Sequence, residues 1–126
     1  MLRWLTAALV PLLVVGTVLA AQAELSADDM REAEDTLRDL DSNLALQNRK
    51  ALEEAQQLVR FFQQVGAHYG AKADAARGVD FARRSQGHAQ AIATAVEAGD
   101  YDTAQDALSE LTRSCKACHE VYKSKK

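Results

Sequence analysis

Apolar residues recur along the chain at alternating spacings of three and four, which is the period of an amphipathic helix. The first such stripe follows Ser26 and consists of Met30, Ala33, Leu37, Leu40 and Leu44. Ser26 is a candidate N-cap residue, and Asp29 three positions later completes a pair of the capping-box type. The pattern predicts a first helix that ends at a turn near Gln47 and Asn48, although a helix running through this turn also fits.

Three further stripes predict three more helices. Their members are Leu52, Ala55, Leu58, Val59, Phe62, Val65 and Tyr69; then Phe81, Ser85, His88, Ala89, Ile92 and Val96; then Ala104, Ala107, Leu108, Leu111, Cys115, Cys118 and Tyr122. Small and charged residues over 71–78 predict a loop ending in Gly78, and Gly99 with Asp100 predicts a helix stop followed by an N-cap. Four such helices with short links predict an all-α fold, an antiparallel up-down-up-down four-helix bundle.

The first 23 residues predict an export signal. Arg3 gives the positive start, residues 5–20 are apolar apart from two threonines, and Ala21-Gln22-Ala23 fits the small-x-small cleavage rule. A permanent membrane anchor is the alternative, but the apolar stretch is slightly short for one. We therefore expect cleavage after residue 23, a periplasmic location without a stable membrane anchor, and a single domain over residues 24–126.

Loss of this segment changes the composition of the chain. Trp4 and Pro11 are the only tryptophan and the only proline, so the mature chain has neither. The formal net charge of the full chain is −3, and removal of Arg3 makes it one unit more negative. This charge does not favour nucleic-acid binding.

The candidate chemistry lies in a C-x-x-C-H motif at residues 115–119, in the last predicted helix. This pattern attaches a c-type haem: the two thiols add across the two vinyl groups, and the histidine imidazole ligates the iron. The motif therefore predicts one covalent haem c. Its predicted site residues are Cys115 and Cys118 as thioether donors and His119 as the iron ligand.

Two other sites use a C-x-x-C pair. A tetrahedral zinc site needs four ligands, and the only histidines besides His119 are His68 and His88. A redox dithiol normally lies near a βαβ pattern, and no such pattern surrounds this motif. Both alternatives therefore fit the sequence less well than haem attachment.

Together these features resemble the cytochrome c-prime and cytochrome b562 family. The resemblance rests on an exported four-helix chain, on the haem motif in the last helix, and on residues 115–123, which are similar to the family's C-x-x-C-H-x-x-Y-[RK] ending. It covers residues 79–123 best and the first helix least. The resemblance implies covalent haem c with His119 as its proximal ligand and the first helix over its distal side. It also implies periplasmic redox partners and allows a homodimer.

The distal residue decides between two functions within this resemblance. Family members with a methionine there are six-coordinate electron carriers, whereas members with an apolar residue bind NO or CO on five-coordinate iron. Met30 is the only methionine of the mature chain, and a thioether sulfur commonly partners histidine on haem iron. Alternatively, Met30 and Leu25 form a hydrophobic staple, and an open apolar pocket is lined by Ala33, Leu37 and Phe62.

We therefore expect a protein that transfers single electrons, with a gas-binding haem protein as the alternative. An enzyme is not expected, because peroxidase-type chemistry needs a polar acid–base group near the distal face and only His88 could serve. The C-terminal region is basic, with Arg113, Lys116, Lys123, Lys125 and Lys126. These cations either offset the helix dipole or steer an acidic redox partner.

Overall fold

A computed structural model describes residues 24–122 as four α-helices, with no β-strand in that range. The helices are α1 (Ala27–Ala45), α2 (Ala51–Gly70), α3 (Ala76–Glu97) and α4 (Tyr101–Tyr122). Each helix packs against its two neighbours around a ring that closes between α1 and α4. The predicted all-α four-helix bundle is confirmed. The predicted signal peptide, residues 1–23, lies outside the described residues, and none of the four helices is long and apolar enough to cross a membrane.

The predicted capping box at the start of α1 is confirmed. The backbone N–H of Asp29 donates to the Ser26 hydroxyl at 3.1 Å, and the backbone N–H of Ser26 donates to the Asp29 carboxylate at 2.8 Å. The backbone N–H and the hydroxyl of Ser26 both donate to the Asp29 carboxylate and hold the pKa of Asp29 below its ordinary value. Two N–H groups that have no partner inside the helix are thereby satisfied.

The predicted stop and restart between α3 and α4 is also confirmed. Gly99 adopts a left-handed φ of 72°, which glycine reaches without steric cost. The N–H of Asp100 donates to the Ala95 carbonyl at 2.8 Å and the N–H of Gly99 to the Val96 carbonyl at 3.0 Å, which is a Schellman motif. Asp100 then accepts the N–H of Thr103 at 3.1 Å and so caps α4.

α1 ends in the same hydrogen-bond pattern, but without a glycine. The N–H of Asn48 donates to the Asn43 carbonyl at 2.8 Å and the N–H of Gln47 to the Leu44 carbonyl at 3.1 Å. Gln47 has a φ of 52°, which crowds its Cβ against the following carbonyl. The chain therefore turns here at a conformational cost, and the alternative of a helix running through this turn is wrong.

The predicted loop over residues 71–78 is wrong in its second part. α3 begins at Ala76, so residues 76–78 are helical. A Cβ placed on Gly78 would lie 2.5 Å from Cγ of Tyr69. Gly78 is therefore a packing position beneath an aromatic ring and not a turn position.

Fully buried side chains are concentrated at one end of the bundle, where α1 ends and α4 begins, and this end is called the sealed end below. The largest fully buried side chains are Leu40, Leu44, Leu58, Ile92, Val96 and Leu111. In α1 only Leu40 and Leu44 are buried, and both lie in its C-terminal half. In α4 the buried residues all precede residue 112. The N-terminal half of α1 and the C-terminal half of α4 therefore face each other at the less densely packed end.

Glu54 is a buried carboxylate near the sealed end. The Asn43 amide donates to its Oε1 atom, whereas its Oε2 atom is buried without a hydrogen-bond partner. Burial raises the pKa of Glu54 above its ordinary value. A buried charge with one oxygen unsatisfied destabilises the fold at neutral pH.

The left-handed turn gives a stability prediction. Gln47→Gly should raise the free energy of unfolding by about 0.5–1 kcal/mol, because glycine removes the Cβ crowding at positive φ. Gln90→Gly, at an exposed site inside α3, is the control and should lower it by about 1 kcal/mol. Urea titration followed by circular dichroism measures both. Equal destabilisation by the two glycines would contradict the cost assigned to Gln47.

Burial of Glu54 predicts a pH-dependent stability. Its pKa is higher in the folded than in the unfolded chain, so its stabilising contribution is complete below its ordinary pKa of 4.5 and is lost as pH rises through the folded-state value. Glu54→Gln should therefore raise the melting temperature by a few degrees at about pH 7 and by less at about pH 4. Glu53→Gln, on an exposed neighbour, should show no such pH-dependent gain in thermal unfolding curves.

Candidate functional site

A mainly apolar pocket of about 220 Å³ opens at the less densely packed end, and all four helices line it. α2 contributes Leu58, Phe61, Phe62 and Val65, and α3 contributes Phe81, Ala82 and Ser85. Phe61 and Phe62 contact each other edge-to-face with ring centroids 5.1 Å apart. The aromatic rings of α2 and α3 thus form the part of the pocket wall that α1 and α4 do not.

α4 brings the three motif side chains into this pocket. Cys115, Cys118 and His119 all line it, since positions separated by three and four residues share one face of a helix. That face is set by Leu111, which is fully buried one turn before Cys115. The two sulfurs and one imidazole are therefore directed into a single apolar space.

α1 forms the opposite wall through Met30, Ala33 and Leu37, each of which is half-buried. The gas-binding alternative predicted an apolar pocket lined by Ala33, Leu37 and Phe62, and all three are among the residues that line this pocket. Met30 lines the same pocket, so the thioether sulfur and the His119 imidazole border one space. The role of Met30 as an iron ligand stays a prediction.

His88 does not line this pocket, although it lies on α3 one turn beyond Ser85, which does. Its side chain is half-buried. The lining residues that are polar are Glu34, Ser85, Thr112, Lys116 and His119 besides the two cysteines. Glu34 and Lys116 are exposed and lie at the rim, on α1 and α4 respectively.

Both cysteine side chains are free thiols held in a surrounding that disfavours charge. Burial, and to a smaller extent the neighbouring Cys118, raises the pKa of Cys115 to about 11. Burial also raises the pKa of Cys118. A reactive dithiol requires a thiolate with a lowered pKa. The burial of this C-x-x-C pair raises the pKa of both thiols and therefore does not favour the redox-dithiol alternative.

Residues 24–122 contain no group of three or more His, Cys, Asp or Glu side chains that could hold a metal ion. A tetrahedral zinc site would need such a group. A haem iron needs none, because the porphyrin supplies four of its ligands and the protein adds only axial ones.

A hydroxyl pair ties α3 to α4 just before the motif. Ser85 Oγ and Ser114 Oγ lie 2.7 Å apart, and Ser85 is only 2 % exposed. The sequence placed Ser85 on the apolar stripe of its helix but gave no partner for it. Phe61 was missed as a lining residue, although its position next to Phe62, which lies on an apolar stripe, was an available signal.

No protein-family model, no curated protein and no solved structure matches this chain. Functional inference therefore depends on the pocket and on the chemistry of the side chains around it.

The raised thiol pKa values predict an order of reactivity. In the haem-free protein at about pH 8, Cys115 should be alkylated more slowly than Cys118, because its thiol is the more strongly buried and less of it is ionised. Mass spectrometry of iodoacetamide adducts over time measures both rates. In concentrated urea the two rates should become similar. Faster modification of Cys115 in the folded protein would show that the thiol is not shielded.

Proposed function

We propose that this protein is a periplasmic c-type cytochrome of the cytochrome c-prime and cytochrome b562 type, holding one covalent haem c and transferring single electrons. One observation carries the proposal: Cys115, Cys118, His119 and Met30 line the same apolar pocket. In this assignment the two sulfurs form the thioethers, and His119 and Met30 are the axial iron ligands.

The chemistry of the donor set fits haem better than it fits a free metal ion. Thioether formation adds the S–H bond of a thiol across a vinyl group, and the two thiols lie in a mainly apolar surrounding that favours their neutral form. The imidazole of a histidine is a common ligand of haem iron. The largely apolar wall would lower the polarity around a bound haem, which is a means by which proteins tune haem potential.

In the observed helix positions the pocket is too small for a haem, and a flat, partly exposed cofactor would need α1 to move outward. About 220 Å³ is below the range of roughly 300–1,000 Å³ common for ligand pockets. However, the pocket shares Ala33, Leu58 and Phe61 with a groove between α1 and α2, and Leu37 and Lys116 with a groove between α1 and α4. α1 has the least contact with the rest of the bundle. A small outward shift of its N-terminal half would therefore enlarge the pocket.

A bound haem would supply a one-electron couple at its iron, and the side chains named above would set the properties of that couple. His119 would fix one axial position. Met30 on the other would raise the reduction potential. The phenylalanines on α2 and α3 would keep the surroundings of low polarity.

A second function, binding of NO or CO, is favoured by a different observation. No residue of α1 before Leu40 is fully buried, so Met30 stands on the half of the helix that packing fixes least. If Met30 packs only against Leu25, the distal wall is formed by Ala33, Leu37 and Phe62. Such a wall has no side chain that can ligate the iron of a bound haem. A diatomic gas that binds there would therefore displace no protein ligand and would only have to fit among the apolar side chains.

Optical spectra of the haem-loaded protein separate these functions. Expressed with a haem-maturation system, the wild type should be low-spin in both oxidation states and unchanged by CO. Met30→Leu, which conserves side-chain volume, should become high-spin, bind CO and have a lower reduction potential. A reduced wild type that binds CO without resistance would favour the gas-binding function. A wild type that attaches no haem, while a known c-type cytochrome matures in the same cells, would contradict both.

A further inference from the structure

Two tyrosines and one glycine, from three different helices, pack together beside the C-x-x-C-H motif. Tyr69 in the last turn of α2 contacts Tyr122 at the end of α4, with ring centroids 4.7 Å apart and planes tilted by 41°. The Tyr69 ring also lies over Gly78 in the first turns of α3, so closely that a Cβ at Gly78 would come within 2.5–2.9 Å of three ring atoms. One side chain thus joins three helices at the end where the motif lies.

This contact is placed where α4 has few other restraints. The buried residues of α4 are Ala104, Leu108 and Leu111, and none follows them along the helix. Beyond Leu111, α4 contacts the rest of the bundle through Cys115, which packs against the core, through the Ser85–Ser114 hydrogen bond and through the Tyr69–Tyr122 ring contact. Cys118 and His119 lie between Cys115 and Tyr122, so the ring contact is the one that follows them along the helix.

The contact between the Tyr69 and Tyr122 rings also lies on the face of α4 that carries Cys118 and His119. Tyr122 follows Cys118 by four residues and His119 by three, so all three lie on neighbouring positions of one helix face. Cys118 is near enough to Tyr69 to add to the effect of burial in raising the pKa of Tyr69. A displaced Tyr69 ring would let the last turn of α4 rotate or fray.

We propose that Tyr69, seated on Gly78 and packed against Tyr122, is a positioning residue that keeps Cys118 and His119 directed into the pocket. This inference rests on the proposed haem attachment for its biological meaning, but its geometric part applies to the haem-free chain. It assigns a role to a residue outside the motif and explains why α3 carries glycine at position 78. The phenol hydroxyl is not part of the argument, since the contact is made by the ring.

The test uses two disruptive variants and three controls. Gly78→Ala pushes the ring away, and Tyr69→Leu removes it while keeping an apolar side chain. Tyr69→Phe keeps the ring and should behave as wild type. Gly87→Ala lies on the same helix with open space around its added Cβ. Leu44→Ala removes a fully buried side chain at the sealed end and serves as a variant of lowered stability only.

The first readout needs no haem. In folded full-length protein, Gly78→Ala and Tyr69→Leu should raise the alkylation rate of Cys118 relative to wild type, because a thiol turned out of the pocket is more exposed and more readily ionised. The ratio of Cys118 to Cys115 rates should rise as well. Tyr69→Phe, Gly87→Ala and Leu44→Ala should keep the wild-type ratio. If Gly78→Ala loses its helical circular dichroism signal, Tyr69→Leu decides.

The second readout is the haem-loaded protein. The two disruptive variants should show chains attached through one thioether only, measured by mass spectrometry of tryptic peptides, and a changed low-spin spectrum. Leu44→Ala should lower the melting temperature without either change. Wild-type alkylation ratios in both Gly78→Ala and Tyr69→Leu would overturn the inference, whether or not haem is bound. A wild type without haem but with altered ratios in the variants would instead overturn the proposed function and leave the positioning role standing.

Discussion

The uneven packing of the bundle is the constraint on which the rest of this structure depends. At the sealed end, alanines stand at the helix contacts: Ala51, Ala55, Ala89, Ala93 and Ala104 are all at most 1 % exposed. Small side chains let helix axes approach closely, whereas large ones hold them apart. Phe61, Phe62 and Phe81 occupy the other end, so the helices there enclose a space. The pocket is thus a product of how residue sizes are distributed along the same four helices.

Unequal packing also fixes which parts of the chain can respond to a ligand. α2 and α3 have the most extensive contact in the bundle, and α1 the least. Met30, Ala33 and Leu37 are only half-buried, so they would gain apolar contacts if a large flat group filled the pocket. A group that binds the folded chain and not the unfolded one stabilises the fold. Under the proposed function, haem would therefore complete the core against α1 as well as supply the redox centre.

Local sequence patterns were sufficient to predict that four helices form and that Cys115, Cys118 and His119 share one face of the last helix. Ser26 with Asp29, and Gly99 with Asp100, are caps whose hydrogen bonds lie within a few residues, so their outcome follows from local pattern. Gly78 was wrongly predicted to end a loop. Glycine is needed there because the ring of Tyr69, nine residues earlier in the chain and on another helix, leaves no room for a Cβ. Glu54 was not foreseen as buried, since its environment depends on how α1 packs against α2. Long-range packing decides such positions, and a single sequence does not display it.

The surface charge around the pocket bears on how a redox partner would approach. α1 carries seven acidic residues against two arginines, while the basic residues of the C-terminal region include Arg113 and Lys116 on α4. Arg113 is itself paired with Glu110. The pocket rim therefore has Glu34 on one side and Lys116 on the other, rather than a uniformly positive border. Under the proposed function, such an arrangement would orient a partner through opposite charges on two walls. Lys123, Lys125 and Lys126, which the hypothesis of a basic rim also includes, lie outside the described residues.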